Sequence, residues 1–247
     1  MTFRIVIPAR HASVRLPGKA LLDIAGEPLV VRVMRRAQRA GARQVLVATD
    51  HAEIAKAVRA AGGDVQMTDV AHQSGTDRIA EVARARAWPE DEVVVNVQGD
   101  EPLIPPAVIG QCAALLAEDA GADLATLAWP IETTDELASD DVVKVVCDQK
   151  GDAMYFSRAS IPFDREGVPA PGTPLALRHI GLYAYRVRSL LRLAGVPAPV
   201  LEQRERLEQL RALWLGMRIR VALAEELPPR GVDTAQDLAL VRESFLT

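Results

Sequence analysis

Three cations share one short segment near the start of the chain: Arg10, Arg15 and Lys19, within Ile7-Pro8-Ala9-Arg10-His11-Ala12-Ser13-Val14-Arg15-Leu16-Pro17-Gly18-Lys19. Their charge suits a polyphosphate. Pro8, Pro17 and Gly18 stiffen and bend the connection, and a loop ordered before its ligand arrives holds that ligand at lower entropic cost. Taken alone, the segment reads either as a nucleoside triphosphate site or as a solvated basic loop.

Further polar clusters add weight to the first reading. Asp100 stands at the tip of an apolar run, between Gly99 and Glu101-Pro102, and a rigid carboxylate there is the hard-oxygen ligand that Mg²⁺ uses together with substrate phosphates. An ordinary turn aspartate has the same appearance. Asp233 is the second candidate ligand, although Asp233-Thr234-x-x-Asp237 also spells a helix start, with Thr234 as cap and Asp237 reaching back. Other fingerprints are missing. There is no G-x-G-x-x-G after the first apolar run, no P-loop serine or threonine after Lys19, and no G-x-S-x-G elbow, which disfavours a dinucleotide dehydrogenase, a P-loop kinase and a nucleophilic hydrolase.

The elements that must position these residues follow from the apolar pattern. Phe3 to Ile7, Gln44 to Ala48, Val65 to Met67 and Val93 to Val97 read as strands. Between them lie helices: Leu29 to Ala40, stopped by Gly41; Ala52 to Ala61, capped by Asp50 and stopped by Gly62-Gly63; and one opened by His72-Gln-Ser-Gly-Thr-Asp-Arg78. That alternation is the pattern of a parallel sheet covered by helices on both faces, whose ligand crevice lies beyond the carboxyl ends of the strands. The polar loops fall there. From about residue 123 the rhythm changes, with strands at Leu124 to Leu127, Val142 to Cys147, Ala153 to Phe156 and His179 to Tyr185, joined by connections too short for crossover helices. We expect antiparallel additions and a small subdomain, an exposed loop from Pro162 to Pro174, a helix from about Arg204 to Leu215, a last strand at Ile219 to Ala222 and a last helix near Ala235 to Glu243.

The chain has 247 residues and a net charge of −4, which suits one continuous α/β fold and argues against a nucleic-acid-coating or membrane-binding face. No apolar run approaches the roughly 18 residues of a membrane span, and no charged leader precedes Phe3, so a cytoplasmic protein is expected. Cys112 and Cys147 are the only cysteines and the four histidines show no metal-ligand spacing, so reduced thiols and no structural zinc are expected.

The motifs together resemble the 3-deoxy-manno-octulosonate cytidylyltransferases, or CMP-Kdo synthetases, nearly end to end. The resemblance is carried by Ile-Pro-Ala-Arg with Arg15-Leu-Pro-Gly-Lys19, Ala48-Thr-Asp-His51, His72 to Arg78, Val95-Asn-Val-Gln-Gly-Asp-Glu-Pro102, Tyr155-Phe-Ser-Arg158, Arg178-His179, Leu207-Glu-Gln-Leu-Arg211 and Gly231-Val-Asp-Thr234. It implies a three-layer α/β/α, Rossmann-like nucleotide-sugar transferase fold with a mixed, mainly parallel sheet. It also implies a single domain over 1–247, with about 123–215 contributing sugar-binding and dimerisation elements. The implied reaction joins CTP to the eight-carbon acid sugar Kdo, giving CMP-Kdo and pyrophosphate for the inner core of lipopolysaccharide, in a Mg²⁺-dependent, cytoplasmic, usually dimeric enzyme. By the same resemblance Arg10, Arg15 and Lys19 hold the triphosphate, Arg78 and Gln98 line the nucleotide and sugar pocket, and Asp100 and Asp233 bind Mg²⁺. Arg158, His179, Tyr183, Glu208 and Gln209 face the sugar.

From the residues alone, His179 and Tyr183 are equally a packed pair on one strand face, and Glu208 and Gln209 a solvated helix face. His11, Ala20, Gln203 and Arg204 depart from the family pattern, which leaves open an 8-amino form of Kdo as acceptor. Two other classes compete. A catalytically silent nucleotide-binding homologue is disfavoured by the intact Asp100, Asp233 and Lys19, and a glycosyltransferase by the lack of Asp-x-Asp at Gly99-Asp100-Glu101.

Overall fold

The central strands are apolar at successive positions, whose side chains point to alternate faces, so each strand feeds two cores and two layers of helices are needed to cover them. The computed structural model describes residues 2–12, 16–165 and 174–245. In chain order its elements are β1 (Arg4–Ala9), a 3₁₀ turn (Lys19–Leu21), the hairpin β2 (Asp23–Ile24) and β3 (Glu27–Pro28), α1 (Leu29–Ala37), β4 (Gln44–Thr49), α2 (Ala52–Ala60), β5 (Asp64–Met67), α3 (Gly75–Ala85), β6 (Val93–Asn96) and α4 (Pro106–Glu118). There follow β7 (Leu124–Ile131), α5 (Thr134–Ala138), β8 (Lys144–Cys147), β9 (Ala153–Ser157), β10 (Ala176–Arg186), α6 (Val187–Ala194), α7 (Val200–Glu205), α8 (Gln209–Trp214), β11 (Ile219–Leu223) and α9 (Ala235–Ser244).

The main sheet has the order β11-β7-β10-β6-β1-β4-β5, with β8 and β9 branching from β10. β5, β4, β1 and β6 are parallel, and β7 pairs in parallel with β11. β10 runs antiparallel between β6 and β7 and is the source of the altered rhythm after residue 123. Ile5, Ile7, Val47 and Val95 face one core, covered by α1, α2, α4 and α9; Val6, Leu46 and Val94 face the other, covered by α3, α6 and α8. The mixed, mainly parallel three-layer α/β/α fold is thus the one expected.

Two local readings need correction. Asp50 does not cap α2: His51 is the N-cap residue and makes no side-chain cap bond, because the Asp50 carboxylate is drawn to Arg78 and to the His11 N–H. The helix expected over 204–215 is two short helices, α7 and α8, broken where Arg206 takes a left-handed backbone at φ 54°. α4 and α6 fall outside the sequence reading. α4 is apolar on nearly every side and shows little amphipathic period, while α6 starts directly from the end of β10 at Arg186 with no turn residue between them.

Candidate functional site

The loops leaving β1, β6 and the segment before α9 meet at the carboxyl ends of the parallel strands. Two glycines permit this. A Cβ on Gly99 would lie 2.7 Å from the Pro8 carbonyl oxygen, and one on Gly231 would lie 3.1 Å from the Asp100 carbonyl oxygen. That oxygen accepts the Val232 N–H at 2.8 Å, so the 231–233 strand of loop is zipped onto Asp100 and delivers Asp233 beside it. Thr234 then caps α9 in a reciprocal box with Asp237, so the helix-start reading of this motif and its placement at the site both hold.

Lys19 is the centre of the arrangement. Its Nζ donates to Asp100 Oδ2 at 2.7 Å and to Asp233 Oδ1 at 3.0 Å. Burial works against the ammonium, but the charges and hydrogen bonds of Asp100 and Asp233 outweigh it and hold Lys19 above the ordinary lysine pKa. Burial, followed by the neighbouring Asp100 charge, pushes Glu101 up to about 8. The carboxylate pair faces a cavity of about 340 Å³ that is also lined by Arg10, His72, Ser74, Arg78 and Gln98. Arg78 is 3% exposed and points a charged head at Asp50 Oδ2, 2.8 Å away, while also bonding Thr68. It is a fixed wall of the cavity. Arg15 lies outside the described residues.

The expected sugar-side residues form a neighbouring group. His179 and Tyr183, on the same face of β10, have ring centroids 5.1 Å apart. Burial lowers the His179 imidazole to about 3, so it is neutral. Glu208 is no solvated helix residue: its two oxygens accept from Ser74 Oγ at 3.0 Å and Thr76 Oγ1 at 2.9 Å, and burial still raises its pKa. Ser74 therefore joins this group to the cavity, since it lines the one and bonds the other. Gln209 is buried at the start of α8. Arg158 is not brought into the cavity lining; Nε donates to the Glu205 carbonyl at 2.9 Å and Nη1 to that of Asp140 at 2.7 Å.

Sequence reasoning missed Ser74, Thr76 and His72 as site residues. His72 lines the cavity and bonds Glu81 at 2.5 Å through Nε2. All three sit in the 72–78 loop, where helix-start chemistry masks any other signal: Ser74 is the N-cap of α3 and accepts from the Asp77 N–H.

Fixed cations and a carboxylate pair, set at the strand ends of a mixed α/β/α sheet, define a nucleotidyltransferase, and the comparisons with known proteins agree. The family described as cytidylyltransferase matches residues 4–219. A 3-deoxy-manno-octulosonate cytidylyltransferase of Serratia proteamaculans (strain 568) is 53% identical over 99% of this chain and 99% of its own length. That of Yersinia enterocolitica is 52% identical over 100% and 99%. The solved structure of a CMP:2-keto-3-deoxy-manno-octonic acid synthetase complexed with CTP matches with a TM-score of 0.91 at 40% identity, covering 100% of this chain and 99% of that one. The chain belongs to the 3-deoxy-manno-octulosonate cytidylyltransferase family.

Proposed function

We propose that the protein transfers CMP from CTP to 3-deoxy-manno-octulosonate, giving CMP-Kdo and pyrophosphate, as the names of its full-length relatives and the CTP-complexed structure support. One observation of the site carries the reading: Lys19 bridges Asp100 and Asp233 at the cavity that Arg10 and Gln98 also line. The anomeric hydroxyl attacks the α-phosphorus and gives up its proton to solvent, the bond from the α-phosphorus to the bridging oxygen breaks, and the electron pair leaves with pyrophosphate. Such a transfer is catalysed by positioning and charge neutralisation and needs no covalent enzyme intermediate. Arg10 and Lys19 neutralise the triphosphate, and Arg15, by its place in the same motif, joins them.

The donor set fits Mg²⁺. Asp100 and Asp233 present hard oxygens converging on one cation, the Lys19 ammonium. Among the described residues no cluster of three or more acidic, histidine or cysteine ligands exists. Two carboxylates with the remaining positions left to phosphate and water is the usual Mg²⁺ arrangement at nucleotide sites. When bound, the ion supplies charge neutralisation at the phosphate and acidifies a nearby hydroxyl.

The reading includes a homodimer, whose second copy covers the exposed Met154, Val200 and Trp214 of β9, α7 and α8; a monomer by light scattering would refute that part. Among the described residues no helix is long and apolar enough to cross a membrane, and a cytoplasmic role in supplying lipopolysaccharide inner core fits the product. The test of function is pyrophosphate release from CTP and Mg²⁺ with Kdo, 8-amino-Kdo and sialic acid in parallel. Release with Kdo that is lost in Asp100→Ala supports reaction and metal site together. Release only with 8-amino-Kdo or sialic acid keeps the chemistry and replaces the acceptor.

A further inference from the structure

We infer that Asn96 is a sugar-binding residue, its side-chain carbonyl accepting a hydroxyl of the acceptor beside the Tyr183 hydroxyl. The inference rests on the acid-sugar reading above and concerns the floor of that site.

Asn96 is the polar exception in Val93-Val94-Val95-Asn96-Val97, the last residue of a central strand whose other members are core. It is 3% exposed, yet its Oδ1 has no hydrogen-bond partner among the described residues, and neither does the hydroxyl of Tyr183, which is 8% exposed. A buried acceptor left unmade costs about 1–3 kcal/mol, so native proteins keep few, and those that remain call for a bound water or ligand. The two orphans are neighbours by register. Tyr183 of β10 pairs with Asn96 of β6 on one side and Thr126 of β7 on the other, so the three side chains form a row across one sheet face.

None of the three side chains lines the cavity, but Asn96 lies directly behind its Gly75 wall. Asn96 Nδ2 is 3.9 Å from where a Cβ on Gly75 would stand, and Gly75 lines the cavity.

The chemistry of the row selects a hydroxyl-rich ligand. The Thr126 hydroxyl has one proton and lies 2.7 Å from the Leu182 carbonyl oxygen, so it donates there and accepts from His179 Nε2–H at 3.0 Å. That fixes the neutral His179 tautomer and leaves Nδ1 as an acceptor. Asn96 Oδ1 can only accept as well, and the Tyr183 hydroxyl can do either. Two acceptors and one amphoteric group suit hydroxyl donors. They do not suit a phosphate or carboxylate oxygen, which places this row at the neutral part of the sugar, apart from the cations at Arg10 and Lys19.

The experiment measures steady-state kinetics and thermal stability of Asn96→Leu, Tyr183→Phe and the double variant, with Kdo and CTP varied separately. Leucine fills a similar volume and removes the orphan acceptor, so the protein is expected to melt close to wild type. KM for Kdo should rise about three- to tenfold in each single variant, the range for one lost hydrogen bond, with KM for CTP within twofold. Because both groups serve one ligand, the double variant should show less than the product of the two effects. A Kdo KM within twofold of wild type in Asn96→Leu overturns the inference. So does coupling between the two substitutions in melting temperature alone, which would mean that Asn96 and Tyr183 bond each other or a trapped water. If Asn96→Leu does not fold, Asn96→Ser is measured under the same criterion. Wild-type protein that releases no pyrophosphate with Kdo refutes the acceptor reading itself, a result distinct from wild-type turnover with an unaltered variant KM.

Discussion

Replacing Lys19 with methionine should make the protein bind Mg²⁺ more tightly in the absence of nucleotide, even as it destroys turnover. The ammonium sits within hydrogen-bond distance of both Asp100 and Asp233 and so competes with any ion for the same oxygens. The lysine side chain is 17% exposed and the aspartates 29% and 44%, so each contact is part-screened and is worth about 1 kcal/mol. Displacing the ammonium from both costs roughly 2 kcal/mol, and removing that competition should tighten Mg²⁺ binding about ten- to thirtyfold. Methionine keeps the length and apolar stem of lysine, so packing against the buried Ala20 turn is retained. The assay is the midpoint of the Mg²⁺-induced rise in melting temperature for wild type, Lys19→Met and Lys19→Met/Asp233→Asn without CTP. The single variant should show the larger response at lower Mg²⁺ and the double variant should lose it. In the same preparation kcat/KM should fall on the order of a hundredfold or more, from loss of a charge contact to the leaving pyrophosphate. A Mg²⁺ response no stronger than wild type in Lys19→Met would refute the competition and place the metal ligands elsewhere.

Asp50→Ala strands the Arg78 guanidinium, whose side chain is 3% exposed, and should cost about 3–5 kcal/mol in urea unfolding; a loss under 1 kcal/mol would mean that Thr68 and the Asp69 carbonyl suffice. His179 is depressed to about 3 by burial, against about 6.5 unfolded, so the unfolded chain gains a proton between those values that the native chain refuses. Its contribution is therefore present above about pH 6.5 and lost as pH falls toward 3, by up to about 1.4 kcal/mol per unit, and His179→Asn should flatten that part of the stability profile measured in urea. Arg206→Gly should stabilise by about 1 kcal/mol, because the left-handed break between α7 and α8 costs an arginine what it does not cost glycine, with kcat unchanged. A destabilised Arg206→Gly would show that the arginine side chain, and not its backbone, holds the break.

How far the sequence could be read depended on whether a residue's partners were local. Gly41 and Gly62, with φ of 76° and 77°, end their segments where the pattern predicts, because a left-handed stop is decided within a few residues. The loops at the strand ends likewise pointed to Arg10, Lys19, Asp100 and Asp233, which the fold brings to one cavity, since apolar β1 and β6 announce where a parallel sheet opens. Asp50 was misleading for the opposite reason. Its position before α2 is that of a cap, but Arg78, distant in sequence, offers a charge-assisted bond that a backbone N–H cannot match. Arg206 breaks a segment whose composition is helical throughout, and only the packing of α7 and α8 shows the break.

The sugar-side residues mark the limit of that reading and suggest how to move it. His179, Tyr183 and Glu208 entered through resemblance, since spacing alone could not separate a packed aromatic from a ligand-facing one. Register adds a placement that spacing lacks: β10 carries an irregularity between Ile180 and Tyr183, and Tyr183 stands opposite both Thr126 and Asn96. One signal of the site was nevertheless present in the chain. A parallel strand buried on both faces favours an unbroken apolar run, and an asparagine near its carboxyl end must find partners for a carbonyl and an amide or pay for their burial. Here the carbonyl finds no partner among the described residues. If Asn96 binds the sugar, a lone polar residue at the end of such a strand is a sequence mark of the substrate floor. The sugar KM of Asn96→Leu tests whether that mark can be trusted.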